Sequence, residues 1–171
     1  MTVNRILLGL SSFVVLTAVS TANAQSLPAE GPLSVTFTAT QVGPMKPMAI
    51  GDGKELVLIA WPMTASNDAG NPILNKMGGR CQFSRIIDTA TKKSEQHGHC
   101  TYADNDGDQI FEQCDAALGA QMKCKLMGGT GKFNGLQADI DITAAPLKSS
   151  YDGISQVMGQ KKGIYKIVKT N

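Results

Sequence analysis

Aromatic residues make up only 5% of the 171 residues and charged residues 18%, with two histidines and a single tryptophan. Sixteen Lys plus Arg stand against fourteen Asp plus Glu, a formal net charge of +2. The lysines are scattered instead of forming a basic stripe, so the electrostatic footprint of a nucleic-acid binder is missing. No window carries a sustained 3.6-residue apolar period with a cap at each end, which excludes a helical bundle; Tyr151 to Gly159 has room for one short helix at most. Beyond the first two dozen residues no run approaches the roughly 18 apolar residues a membrane-spanning helix needs, so no membrane insertion is expected. What is present is the composition of an ordinary globular domain, 42% hydrophobic.

Residues 1–24 have the form of a secretory leader. Arg5 supplies the basic start, Ile6 to Val19 the apolar stretch, and Ala22-Asn23-Ala24 a small-x-small cleavage site. Residues 25–171 are then expected to form one soluble domain, periplasmic or secreted if the source is bacterial. No cysteine lies in or just after the leader, so a lipid anchor has no thiol to attach to.

All four cysteines, Cys81, Cys100, Cys114 and Cys124, fall in the exported part, and an even number there points to two disulfides. Three pairings are possible, and local geometry favours one. Cys81 to Ile87 and Ser94 to Tyr102 flank a polar turn, Asp88 to Lys93. In the resulting hairpin facing positions keep a constant sum of 181, which places Cys81 opposite Cys100. Cys114 and Cys124 then pair by elimination. Zinc is disfavoured because the spacings contain no C-x2-C knuckle, and dithiol redox catalysis because there is no C-x-x-C.

Alternating runs punctuated by turn residues fill the rest. In Leu33 to Gln41, Val35, Phe37 and Ala39 share one face and Ser34, Thr36, Thr38 and Thr40 the other, as in a half-buried strand. Lys54 to Trp61 is rich in strand formers and is expected to end at Pro62. Met63 to Gly79 then forms a punctuated connection long enough to be functional or mobile, a candidate lid. Asp106-Gly107 marks a tight hairpin turn before a strand from Gln109 to Cys114. With a two-residue turn, Tyr102 faces Phe111; one more turn residue shifts that register and flips the faces. Further strands are expected at Gln121 to Met127, Ala138 to Ala144 and Lys162 to Lys169. About eight antiparallel strands in one small chain lead to an all-β barrel or sandwich, because closure removes exposed edges.

The succession Arg80-Cys81, Arg85-Ile86-Ile87-Asp88, Cys100 to Asp108 and Gly128-Gly129-Thr130-Gly131-Lys132-Phe133-Asn134-Gly135 resembles small exported bacterial proteins of unknown function. Its GGTGKF element is similar to that of the dirigent and allene oxide cyclase barrels. The resemblance spans Gly78 to Thr143 and implies a single antiparallel β-barrel of the allene oxide cyclase type. No position matches the catalytic residues of those barrels, so it implies a fold and no active site.

Few constellations carry chemistry. The glycine-rich element fails as a nucleotide loop, since Phe133 stands where a magnesium-binding hydroxyl is required, and it is read as a turn. Asp104, Asp106 and Asp108 offer hard oxygen ligands, but neither frame places a glycine where a calcium loop needs it. His97 and His99, two apart on a strand, point the same way, and with Met45 and Met48 would suit copper; the methionines are otherwise scattered core fillers. Ser84 faces His97 without an identifiable third orienting group. Arg85 shares the face of Cys81 and Phe83, and an arginine pointing into a barrel requires a carboxylate or an anionic ligand, whereas one at the mouth does not.

No catalytic residue, no metal and no cofactor is assigned. The expected function is non-enzymatic binding of a small or apolar ligand, or of an envelope partner protein, with Arg85, Tyr102, Phe111 and Trp61 as contacts. The alternatives are an isomerase or lyase acting inside the barrel and a structural envelope component without ligand.

Overall fold

A computed structural model describes residues 27–42, 45–149 and 151–168; the expected leader, residues 1–24, lies outside the described residues. Among the described residues nine strands follow one another: β1 (Glu30–Val42), β2 (Met48–Gly51), β3 (Lys54–Asn67), β4 (Met77–Asp88), β5 (Ser94–Ala103), β6 (Gln109–Ala116), β7 (Lys123–Gly129), β8 (Leu136–Leu147) and β9 (Ile154–Ile167). A 3-10 turn, Gly131–Phe133, joins β7 to β8. Every pairing is antiparallel, in the order β1-β9-β8-β7-β6-β5-β4-β3, and the sheet closes where Val35–Ala39 of β1 meet Met63–Asn67 of β3. Eight strands therefore make the expected closed barrel, and β2 only extends the start of β3.

The period-two pattern of the sequence sets which side chains enter the lumen. Leu33, Val35, Phe37 and Ala39 of β1, Val57 and Ile59 of β3, Leu136, Ile140 and Ile142 of β8 and Tyr165 of β9 are all buried. Burying each large apolar side chain contributes roughly 1.5–3 kcal/mol. Two closed disulfides, Cys81–Cys100 and Cys114–Cys124, join directly opposed residues of adjacent strands, with Cα atoms 4.0 Å apart in each. The first is the pairing expected from the hairpin arithmetic and the second the one left by elimination, and the register across β4 and β5 is the predicted one.

Inward rings and inward glycines are paired across neighbouring strands. Tyr102 lies opposite Gly79, Phe83 opposite Gly98, Phe37 opposite Gly159 and Tyr165 opposite Gly31. In each case a Cβ on the glycine would run into the facing ring. The glycines thus provide the space in which rings lie along the wall, a use of strand glycine that single-strand alternation does not reveal.

One end of the barrel is filled. Ile73, Leu74, Met77, Ile110, Phe133, Leu136 and Tyr165 are each no more than 1% exposed there. The 68–76 connection is sealed down by Asn67, whose Nδ2 donates to Ile73 O (2.7 Å), and by Asn71, whose Nδ2 donates to Pro32 O (2.8 Å).

Three expectations are corrected. The strand does not end at Pro62: β3 continues to Asn67, because residues 57–62 pair only with β4, and on such an edge a missing N–H forfeits no ladder bond. The expected long connection accordingly shrinks to residues 68–76, and with Ile73 and Leu74 buried it plugs the closed end instead of forming a lid over the open one. The turn between β5 and β6 is longer than two residues, so Tyr102 faces Ile110 and Phe111 faces Thr101. This is the register that sends Tyr102 inward and leaves Phe111 on the outer surface. Over Tyr151 to Gly159, where the sequence leaves room for one short helix at most, a turn leads into β9, whose inward positions Val157, Gly159, Lys161, Gly163 and Tyr165 are locked between β1 and β8.

Candidate ligand-binding site

The open end leads to a cavity of about 480 Å³ inside the barrel. Its walls are mainly apolar: Phe37 from β1, Trp61 and Met63 from β3, Phe83 from β4, Ile142 and Pro146 from β8, Val157 from β9, and the sulfurs of Cys81, Cys100 and Cys114. Trp61 and Phe83 lie with ring centroids 5.6 Å apart and tilted planes, a favourable aromatic contact. Phe83 reaches this position because Gly98 leaves it room.

Four polar side chains stand at defined places on this wall. Gln41 accepts a hydrogen bond from Trp61 Nε1 (2.9 Å), which holds the indole in orientation. Arg85 donates from Nε to Gln96 Oε1 (2.7 Å), its direct cross-strand neighbour. Gln96 is buried, and its Nε2 has no hydrogen-bond partner among the described residues. Arg85 makes no ion pair among the described residues. Burial lowers its guanidinium from the ordinary value, but arginine remains charged throughout the accessible pH range. Gln121, from the β6–β7 connection, donates to Ile142 O and closes one side of the rim.

The floor is ionic. Lys161 of β9 reaches across the lumen to Glu112 of β6, with Nζ 2.7 Å from Oε1 and 2.5 Å from Oε2. Tyr102 completes the cluster, accepting from Lys161 Nζ (2.8 Å) and donating to Glu112 Oε2 (3.0 Å). All three side chains are at most 1% exposed. Burial, followed by the Glu112 charge and the hydrogen bond to it, pushes the Tyr102 phenol well above its usual range, so it stays protonated. The ammonium also sits 5.3 Å from the Phe37 ring centroid and 5.1 Å from that of Tyr102, on π faces that attract a cation.

Of the four expected contacts, Arg85 and Trp61 line the cavity, Tyr102 lies beneath it in the ionic floor, and Phe111 stands outside the barrel, 38% exposed. Gln41, Gln96, Lys161 and Glu112 were missed. The available signal was polarity in the inward phase of a strand: Glu112 falls between Ile110 and Cys114, and Lys161 falls between Gly159 and Gly163 in the phase of Val157 and Tyr165.

The other candidate groups lie elsewhere. Asp104, Asp106 and Asp108 are engaged by protein donors: Lys132 Nζ is 2.6 Å from both Asp104 Oδ2 and Asp106 Oδ2, and Asp108 accepts from the Lys132 backbone N–H. The lysine of the glycine-rich turn thus supplies the positive charge in this acidic loop. His97 and His99 are on the outer face. His97 Nδ1 lies 2.8 Å from Asp115 Oδ1 on β6, so Asp115 is the third group unseen in the sequence. Ser84 and His97 share no hydrogen bond among the described residues, leaving that row without an activated nucleophile. Ligating atoms of Cys100, Glu112 and Cys114 cluster within 4.8 Å, but both sulfurs are in disulfides and offer no thiolate to a metal.

Fold and cavity together define the class: a disulfide-stapled, eight-stranded antiparallel barrel, plugged at one end and open at the other. Among solved structures it is similar to the pterocarpan synthase dirigent protein GePTS1, with a TM-score of 0.51 and 16% identity, covering 85% of this chain and 91% of that one. At this identity the similarity concerns the fold alone. No protein-family model and no curated protein matches the chain. Among the described residues no helix is long and apolar enough to cross a membrane.

Proposed function

We propose that this protein is an exported barrel, periplasmic or secreted, that binds a small, largely apolar molecule in its interior without transforming it. The observation that carries the reading is the cavity: about 480 Å³, walled by aromatic, aliphatic and sulfur atoms and interrupted by a few placed polar groups. That combination is the ordinary make-up of a small-molecule site. Export is supported by the leader-like N-terminus and by two disulfides, which persist in oxidising compartments. The non-enzymatic part rests on the floor, where Lys161, Glu112 and Tyr102 satisfy one another and leave no strong donor or acceptor for a substrate.

Trp61 is the only tryptophan and lines the cavity, so its fluorescence reports occupancy directly. Titration with the neutral apolar dye N-phenylnaphthylamine is expected to quench Trp61 saturably by energy transfer, and Val157→Phe, which narrows the cavity, is expected to weaken binding. Absence of saturable binding to the wild-type protein overturns the reading and favours a structural component without ligand.

One observation favours a second reading, an isomerase or lyase. An ammonium lines the cavity floor with a carboxylate and a phenol hydrogen-bonded behind it, and buried titratable groups in a cleft are candidates for proton transfer. Ligand incubated with the protein in deuterated water and recovered with deuterium on carbon, an exchange abolished by Lys161→Met, would establish that reading in place of simple binding.

A further inference from the structure

We propose that the cavity selects monoanionic ligands, an apolar body carrying one carboxylate, and that Arg85 and Gln96 together hold that carboxylate. The inference rests on the ligand-binding reading above and specifies the chemical class of the ligand.

The first observation is a charge count. Two cationic side chains line the cavity, Lys161 and Arg85. Lys161 is neutralised by Glu112, with both carboxylate oxygens turned to the ammonium. Tyr102, held protonated, adds no charge. Arg85 has no carboxylate within ion-pair distance among the described residues, so the cavity retains one uncompensated positive charge. One anionic group on a ligand balances it; a dianion would not be matched.

The second observation is independent of charge. Gln96 is 3% exposed, lines the same cavity, and its Nε2 has no partner. A buried donor left unmade is costly, and such groups in native proteins usually have a ligand or water as partner. The amide orientation is set by the Arg85 Nε–Gln96 Oε1 bond, which directs the amide oxygen to the guanidinium and leaves the NH2 as the spare donor. The two side chains belong to directly opposed residues on β4 and β5. Guanidinium and amide therefore present adjacent N–H donors, which an acceptor with two oxygens on one carbon can engage together. The apolar wall below, Trp61, Phe83 and Met63, receives the rest of the molecule.

The test compares octanoate with octanol at neutral pH, read by Trp61 fluorescence and by calorimetry, on the intact oxidised protein. Wild-type protein is expected to bind octanoate at least about tenfold more tightly than octanol, the scale of one charge-assisted contact. Arg85→Gln should bring the two affinities together by weakening octanoate at least about tenfold more than it weakens octanol. Gln96→Glu, which places an internal carboxylate beside Arg85, should abolish the preference by the same route, and Arg85→Lys should retain part of it. Equal binding of octanoate and octanol to the wild-type protein overturns the monoanion inference and leaves the binding reading intact. Persistence of the preference in both Arg85→Gln and Gln96→Glu also overturns it, and failure of both probes to bind removes the binding reading itself.

Discussion

Lys161 and Glu112, on strands separated by two others in the barrel, meet across the lumen as an ion pair in which both side chains are at most 1% exposed. Removing one partner leaves a buried charge without compensation, so Glu112→Gln or Lys161→Met should each cost about 3–5 kcal/mol in urea unfolding. Replacing both at once with Lys161→Met and Glu112→Leu should recover much of that loss, because a well-packed apolar pair avoids the desolvation the ions suffer. A double variant no more stable than the singles would mean that the pair does more than satisfy itself.

The disulfides are expected to act mainly by restricting the unfolded chain. Their sequence separations are 19 and 10 residues, so Cys81→Ser/Cys100→Ser and Cys114→Ser/Cys124→Ser should each lower stability by about 3 kcal/mol, the first slightly more. Thiol titration of the unreduced, unfolded protein should find no reactive sulfur.

The ring-on-glycine pairs predict an unusual sign. At an ordinary strand glycine, alanine stabilises. At Gly98, an added Cβ meets the Phe83 ring and the Gln82 carbonyl, so Gly98→Ala should destabilise by about 1–3 kcal/mol through overpacking. It should also shift Trp61 emission, since Phe83 packs against that indole with its ring tilted to it.

The register of β5 against β6 can be checked by a pair of substitutions. Phe111→Ser lies on the outer surface, where the ring is only partly covered, and should cost no more than about 1 kcal/mol. Tyr102→Ala empties part of the ionic floor and should cost roughly 3–5 kcal/mol, measured by the same unfolding curve. Comparable losses at both positions would place Phe111 inside.

Asp104 gives a pH dependence. Burial raises its pKa, but the hydrogen bond from Lys132, the backbone N–H groups of Asp106 and Asp108 and the Lys132 charge outweigh that and hold the carboxyl below the usual range. A lowered folded-state pKa means the unfolded chain binds more protons. The stabilisation is therefore complete above the unfolded value, 3.8, and is lost as pH falls through the folded one. Lys132→Met should flatten the fall of Tm below about pH 4. Added calcium should leave Tm unchanged, because the lysine already occupies the acidic loop.

Much of the wall of this barrel was legible from neighbouring residues. Val35, Phe37 and Ala39, or Ile140 and Ile142, declare their face within a few positions, and the Cys81–Cys100 pair followed from one hairpin's arithmetic. The site was legible only in part. Arg85 was identifiable because it shares its phase with Cys81 and Phe83. Phe111 was misplaced because one turn residue more or less inverts a whole strand, and Asp106-Gly107 does not specify the length of the turn around it.

The sequence by itself determined that the chain is built of strands, which side chains share a face, and which cysteines are near enough to join, since a period of two and a short turn are local properties. Only the tertiary structure decided which end is plugged, that Lys161 finds Glu112, that rings lie on glycines of the adjacent strand, and that Arg85 and Gln96 stand over a cavity. Those depend on how β1 meets β3 at closure and on how far each strand is staggered against the next, and that stagger is set by the packing of the whole lumen at once.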